Sequence, residues 1–136
     1  MQKNQRRKLG IYKSIKNYPY YTFEDQSYSQ FMLSLMNLLE VRCFVKGELI
    51  AEEMDESLEI LFVELGIYEV GYEINKKLFF ERHFGPSTVI GGFQVCYGRR
   101  HDFTYRAYQK MKCLAIRKQK FLLLVEKFPQ LKYKIK

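Results

Sequence analysis

The sequence predicts an α+β fold: an antiparallel β-roll, a jelly-roll-like barrel of about eight short strands, flanked by N- and C-terminal helices. Residues 41–117 consist of short apolar segments at regular spacing, separated by glycine and asparagine turns. The segments on either side have the three- and four-residue apolar spacing of amphipathic helices. The chain also has 11 Tyr and 11 Phe but no Trp, a composition that favours strands. Its 136 residues suffice for one domain with one core.

The first element is a helix predicted over residues 23–40. Thr22 and Asp25 resemble a capping box at its start, and Pro19 separates it from what precedes. We therefore divide the chain into a basic lead-in segment, residues 1–22, and a single domain, residues 23–136. The apolar face of the helix comprises Tyr28, Phe31, Met32, Leu35, Leu38 and Leu39.

The β-roll is predicted over residues 41–117. In IYEVGYEI, Tyr68, Val70, Tyr72 and Ile74 alternate with Glu69, Gly71 and Glu73, the pattern of a half-buried strand. A final helix follows over residues 118–128, which Pro129 ends. The predicted strand segments are VRCFV, ELIAEE, LEILFVEL, IYEVGYEI, LFFERHF, TVI, FTYRAYQ and KCLAIR.

The net charge of +8 is unevenly distributed. Residues 1–22 contain six basic residues and no acid, whereas ten of the fifteen acids lie between Glu48 and Glu81. A nucleic-acid-binding module would carry its positive charge on the folded face, so we expect no nucleic acid partner. Basic ends suit solvated flanks, an acidic neighbour or an anionic membrane surface. No segment approaches the roughly 20 apolar residues that span a bilayer, so the chain as given is expected to be soluble.

Residues for catalysis are few. His83 and His101 lie in separate segments, so neither a metal site of the cupin type nor any other metal site is predicted. Cys96 stands near His101, but nothing in the sequence orients the two as a nucleophilic pair, and no enzyme is predicted. The three cysteines show neither metal-ligand nor disulfide spacing. The acidic residues at 52, 53, 55 and 56 are expected in a solvated turn.

The one segment suited to ligand binding is GGFQVCYGRRHDFTYRA, residues 91–107. Gly91 and Gly92 permit close approach of the backbone, and FQVCY could begin a short helix with free N–H groups. A nearby arginine would complete a phosphate cradle. The alternative is a strand-to-helix turn with surface arginines.

The order of elements from Phe31 to Leu131 resembles the cyclic nucleotide-binding domain family over about three quarters of the chain. The matching features are the opening helix, VRCFVKGELI, ILFVELGIYEVGYE, FGPSTVIGG, TYRA, CLAIR and a helix ending in Phe-Pro. KGELIAEEMDE, YEVGYEI and CLAIRK are similar to the cytoplasmic domain of cyclic-nucleotide-gated and voltage-gated potassium-channel-like proteins. In that group a helical linker from the pore precedes the domain, which corresponds here to residues 1–22.

The resemblance implies a phosphate-binding cassette at Gly91, Gly92, Phe93, Gln94, Arg99, Arg100, His101 and Asp102. In the family a glutamate binds the ribose and an arginine binds the cyclic phosphate, and here Gly92 and His101 occupy those two positions. Asp102 replaces a small hydroxyl residue, and Arg100 lies one position early. The chain ends at LKYKIK, so the helix that closes over the base in responsive members is expected to be absent or barely begun.

The resemblance thus implies a regulatory domain on the cytoplasmic side of a potassium-type cation channel, acting in gating or assembly and binding cAMP or cGMP weakly or not at all. Its partners would be the rest of the channel polypeptide and neighbouring subunits, with the membrane reached only through the parent protein. The alternative is a functional cAMP or cGMP receptor in which Arg99 or Arg100 binds the cyclic phosphate.

Overall fold

A computed structural model describes residues 26–129, and the lead-in segment and the Thr22–Asp25 cap lie outside this range. Within it are three helices and eight antiparallel strands. The helices are α1 (Gln26–Leu38), α2 (Gly92–Tyr97) and α3 (Lys118–Glu126). The strands are β1 (Glu40–Phe44), β2 (Leu49–Ala51), β3 (Glu59–Leu65), β4 (Tyr68–Ile74), β5 (Lys77–Phe84), β6 (Val89–Ile90), β7 (Thr104–Ala107) and β8 (Met111–Arg117).

The strands form two four-stranded sheets that face each other. Sheet 1 has the order β1-β8-β3-β6, and sheet 2 has the order β2-β7-β4-β5. This arrangement confirms the predicted α+β β-roll flanked by helices.

The central strands of sheet 1, β3 and β8, are buried on both faces because their residues alternate between two apolar clusters. Ile60 and Phe62 of β3 pack toward the helices, in an outer cluster with Phe31 and Phe121. Leu61 and Val63 point the other way, into an inner cluster between the sheets. The outer cluster holds α1 against α3, and the rings of Phe31 and Phe121 meet edge to face at 6.5 Å. The helices therefore cover one side of sheet 1, while sheet 2 covers the other.

The hairpin of β4 and β5 departs from a regular ladder. Its two-residue turn, Asn75 and Lys76, has positive φ at both positions, as a tight hairpin turn requires. Val70 pairs with Arg82, but the next residue, Gly71, pairs with Phe80. Glu81 is therefore the extra residue of a β-bulge.

The alternation of buried and exposed residues along β4 is also irregular. Glu69, which the pattern places opposite the apolar face, is buried at 7% exposure, whereas Ile74 on the apolar face is 49% exposed. Arg106 of β7 forms an ion pair with Glu69 and lies over the ring of Phe80 from β5, whereas Ile74 lies beside the hairpin turn. The half-buried pattern of the sequence therefore holds only in the first part of the strand.

Candidate functional site

The predicted cassette begins with a turn whose backbone conformation demands glycine. Gly91 has φ +86°, in the left-handed region, and is buried. A Cβ added there would lie 2.6 Å from both the Glu59 carbonyl oxygen and the Ser57 hydroxyl oxygen. The Ser57 hydroxyl is 3.2 Å from the Glu59 carbonyl and 3.3 Å from the Gly91 carbonyl, to which it donates. This contact fixes the start of α2 against the start of β3.

Helix α2 faces the core on one side and solvent on the other. Val95 is buried in the outer cluster, while Phe93 and Tyr97 are each about half exposed. The first turn carries no acidic residue. Gly92 leaves its position without a side chain, and a Cβ there would lie 3.2 Å from Val89 Cγ1. The carboxylate that the family resemblance implies at this position is absent.

His101 occupies the buried centre of the cassette. Its backbone N–H donates to the Asp55 carbonyl (3.0 Å), and its carbonyl accepts from the Met54 N–H (2.8 Å). The side chain is 4% exposed, with its ring edge-on to Tyr105 at 5.6 Å. Within residues 26–129, Nδ1 has no hydrogen-bond partner.

Burial lowers the pKa of His101, and the charges of Asp55 and Asp102 only partly oppose this. The imidazole is consequently neutral near pH 7. A neutral ring can donate one hydrogen bond and accept another, but it supplies no charge to an anion.

The two cassette arginines lie on the surface. Arg100 donates through Nη1 to the Met54 carbonyl (2.9 Å), and its backbone forms an isolated bridge with Glu56. The guanidinium of Arg99 lies over the ring of Phe93, with its carbon 5.7 Å from the ring centre. Asp102 is exposed as well. Of the predicted site residues, only Gly91 and His101 are buried.

Cys96 and His101, the pair that a nucleophilic site would need, pack against different parts of the core. Cys96 packs against the outer cluster, whereas His101 contacts Tyr105, which packs against the inner cluster. Burial raises the pKa of the Cys113 thiol to about 12, so it stays protonated. The described residues contain no group of three or more side chains suited to a metal ion.

A polar cluster that no sequence pattern indicates lies on the outer face of sheet 2. Glu69 Oε1 accepts from Arg106 through Nε (2.6 Å) and Nη2 (2.5 Å), and its Oε2 lies 3.4 Å from His83 Nε2. The Arg106 guanidinium covers the ring of Phe80 at 4.0 Å. The His83 side chain, on β5, is 53% exposed. The cluster joins β4, β5 and β7, which suits a structural role.

A cavity of about 410 Å³ opens elsewhere, between β1, the start of β3 and α3. Its three cationic side chains are each paired with a carboxylate: Arg42 with Glu59 at 3.1 Å, Lys118 with Glu56 at 3.0 Å and Arg117 with Glu40 at 3.5 Å. We found no helix in residues 26–129 that has both the length and the apolar character to cross a membrane.

No family model and no curated protein sequence matches this chain. Solved structures do match. A protein from Ruegeria pomeroyi described as a candidate cyclic nucleotide binding protein has 14% identity and a TM-score of 0.78, with 98% of this chain and 57% of that chain covered. The regulatory domain of Toxoplasma gondii PKA with cAMP has 11% identity and a TM-score of 0.75, with 96% and 48% covered.

A third similar structure is the regulatory subunit of a cAMP-independent protein kinase A from Trypanosoma cruzi, bound to guanosine. It has 19% identity and a TM-score of 0.68, with 96% of this chain and 46% of that chain covered. The present chain spans about half the length of these structures. At such identities the similarity shows a shared fold.

Proposed function

From the fold of cyclic nucleotide-binding domains, which this chain has, we propose that it is a regulatory, non-catalytic module of a larger protein whose cassette does not hold a cyclic nucleotide tightly. The observation that carries this proposal is His101, which is buried and neutral at the position where the resemblance implies an arginine. The function of the parent protein is proposed from the sequence resemblance.

The electrostatics of the cassette disfavour a cyclic phosphate. The charges that act on His101 are the carboxylates of Asp55 and Asp102. Arg99 and Arg100 are exposed, and the Arg100 guanidinium is engaged by the Met54 carbonyl. A lost charge-assisted hydrogen bond weakens binding by about 1.5–3 kcal/mol, or about one to two decades in affinity. Gly92 removes a second anchor, the ribose-binding carboxylate.

For the parent protein, we propose a potassium-type cation channel with this domain on the cytoplasmic side. The β-roll would then act on the pore through residues 1–40, in gating or in assembly with neighbouring subunits. The support is the sequence resemblance of KGELIAEEMDE, YEVGYEI and CLAIRK, together with the basic charge of residues 1–22. The test is the flanking gene sequence: six apolar spans upstream are expected, and a parent polypeptide without membrane spans would contradict the channel assignment.

Isothermal calorimetry with cAMP and cGMP tests the cassette directly. We expect no binding in the micromolar range, and micromolar or tighter binding would overturn the proposal. In that case Arg100→Ala would identify the receptor alternative, since it should abolish binding if this arginine holds the phosphate.

A variant designed to gain cyclic nucleotide binding provides a complementary test. Gly92→Glu with His101→Arg restores the implied anchors and should introduce cyclic nucleotide binding, provided circular dichroism shows the fold retained. The control, Gly92→Gln with His101→Gln, places neutral amides at both positions and should remain inactive.

A further inference from the structure

Strand β5 is a long, uncovered edge of sheet 2. It pairs with β4 alone, and with eight residues it is the longest strand in residues 26–129. Seven of the eight residues are exposed. Of the backbone hydrogen bonds that residues 26–129 form outside their helices and ladders, none involves residues 77–84. An uncovered edge of this kind can pair with a further strand.

The backbone groups that face this edge belong to Leu78, Phe80 and His83. Hydrogen-bonded and non-bonded residue pairs alternate along an antiparallel ladder, and the two-residue turn makes Ile74 and Lys77 the first bonded pair. Glu73, in the next pair, accordingly turns its N–H away from β5 and donates it to Glu53 Oε1. The same alternation continues along β5, with the bulge counted as one position. Every second position of β5 therefore turns its N–H and C=O groups toward the free edge.

The β-bulge at Glu81 restricts what can pair with this edge. Two residues separate Phe80 from His83, whereas one residue separates successive edge-facing residues of a regular strand. A regular extended peptide therefore matches the edge on one side of the bulge only. A second β5 that runs antiparallel carries the same bulge. Phe80 of one copy then pairs with His83 of the other, and the two strands match on both sides.

This register keeps the side chains on matching faces of the extended sheet. Phe80 and His83 both contact the polar cluster on the outer face of sheet 2. Phe79 and Phe84 both stack with tyrosines of β4 on the inner face. Phe79 of one copy therefore lies opposite Phe84 of the other, and the two rings are 45% and 38% exposed before pairing. Residues that pair across an antiparallel ladder share a face, as this register provides.

The bulge also places opposite charges side by side at the centre of the register. Glu81 and Arg82 are both exposed, and Arg82 has no ion pair or hydrogen bond within residues 26–129. Glu81 accepts from the Tyr72 hydroxyl through Oε1 at 2.5 Å, which holds its carboxylate at the strand. In the antiparallel register Glu81 of each copy lies opposite Arg82 of the other. Opposite charges that face each other across a ladder attract, so the edge is complementary to itself.

We propose that β5 pairs with β5 of a second copy of this chain, antiparallel about a two-fold axis. Two four-stranded sheets then form one eight-stranded sheet. Because the contact is two-fold, it closes at the dimer and builds no filament. The strand supplies eight residues, fewer than the roughly 20–30 on each side of a standard stable interface, so the dimer is weak and reversible. The pairing does not involve the cassette and is independent of cyclic nucleotide binding.

Sedimentation velocity of the 136-residue chain tests the association. We expect a monomer–dimer equilibrium between about 10 µM and about 1 mM, the range of a weak interface. Arg82→Glu and Glu81→Arg each place like charges at both central positions, so each should weaken self-association by at least about tenfold. An equimolar mixture of the two variants has opposite charges at every central position and should restore the dimer. The control, Lys110→Glu, makes the same charge change as Arg82→Glu in the exposed connection between β7 and β8, and should leave association unchanged.

Amide hydrogen exchange of the unsubstituted chain tests the register. The N–H groups of Phe80 and His83 should exchange at least about fivefold more slowly in the dimer than in the dilute monomer, because they become bonded only on pairing. Amides already bonded to β4 should not change. A chain that remains monomeric at about 1 mM would overturn the proposal. So would a dimer in which residues 80 and 83 gain no protection, a dimer that Arg82→Glu leaves intact, or a mixture that associates no more tightly than its two variants alone.

Discussion

Replacing Arg106 by methionine tests whether the Glu69 cluster stabilises sheet 2. The substitution keeps an unbranched side chain over Phe80 but removes both hydrogen bonds to Glu69, which is 7% exposed. Breaking one side of a fully buried ion pair costs about 3–5 kcal/mol. The Arg106 side chain is 35% exposed and His83 remains 3.4 Å from Glu69, so solvent and histidine compensate in part. We expect a loss of about 2 kcal/mol, less than the fully buried case.

Urea unfolding followed by far-ultraviolet circular dichroism measures this loss. A change of about 2 kcal/mol corresponds to a fall in melting temperature of about 8 °C for a domain of this size. Arg82→Met is the matched control, because Arg82 is an exposed arginine on the neighbouring strand without an ion pair in the described residues. It should change the free energy of unfolding by less than about 0.5 kcal/mol.

A double-mutant cycle with Glu69→Gln isolates the pair. If the ion pair carries the effect, the double variant should be more stable than the sum of the single losses predicts, by about 1 kcal/mol. A loss below about 0.5 kcal/mol in Arg106→Met, or additive single losses, would refute the reasoning.

Two further predictions concern single residues. Burial lowers the pKa of His101 below its ordinary value of 6.5, so on acidification the unfolded chain protonates this imidazole before the folded protein does. The free energy of unfolding should therefore fall as pH drops through about 6.5, by at most about 1.4 kcal/mol per pH unit. Unfolding measured from pH 7.5 to 5.5 should show a weaker pH dependence in His101→Gln than in the unchanged protein; equal slopes in the two proteins would contradict this. Gly66→Ala should cost at least about 2 kcal/mol, because φ is +92° and the new Cβ would lie 2.3 Å from the Lys110 carbonyl oxygen. The control Gly47→Ala has a similar φ of +88° and open space, so thermal melts should show a loss of only about 1 kcal/mol, and equal losses would exclude the steric explanation.

Local sequence patterns predict most of the fold because they concern neighbours along the chain. Residues 60–63 are a continuous apolar run, as in a strand buried on both faces, and in the structure they alternate between the outer and the inner cluster. The spacing of Phe31, Met32 and Leu35 likewise predicts the helix that packs on sheet 1, though α1 ends at Leu38 rather than residue 40.

The site is less predictable because its residues act through distant partners. The predicted cassette positions are contiguous, yet His101 is buried while Arg99 and Arg100 turn to solvent. Nothing in the segment itself distinguishes these three neighbours. The placement of His101 and Arg100 depends on contacts with Asp55 and Met54, which lie 46 residues earlier in the chain.

The sequence by itself thus determined the β-roll, its helices and the position of the glycine turn at Gly91, because periodicity and backbone conformation are local properties. Only the tertiary structure decided which charged side chains are buried and which face solvent. The bulge at Glu81 arises from pairing between β4 and β5, and the burial of Glu69 accompanies its ion pair with Arg106 of β7. Such pairings depend on register between strands, which no single segment specifies.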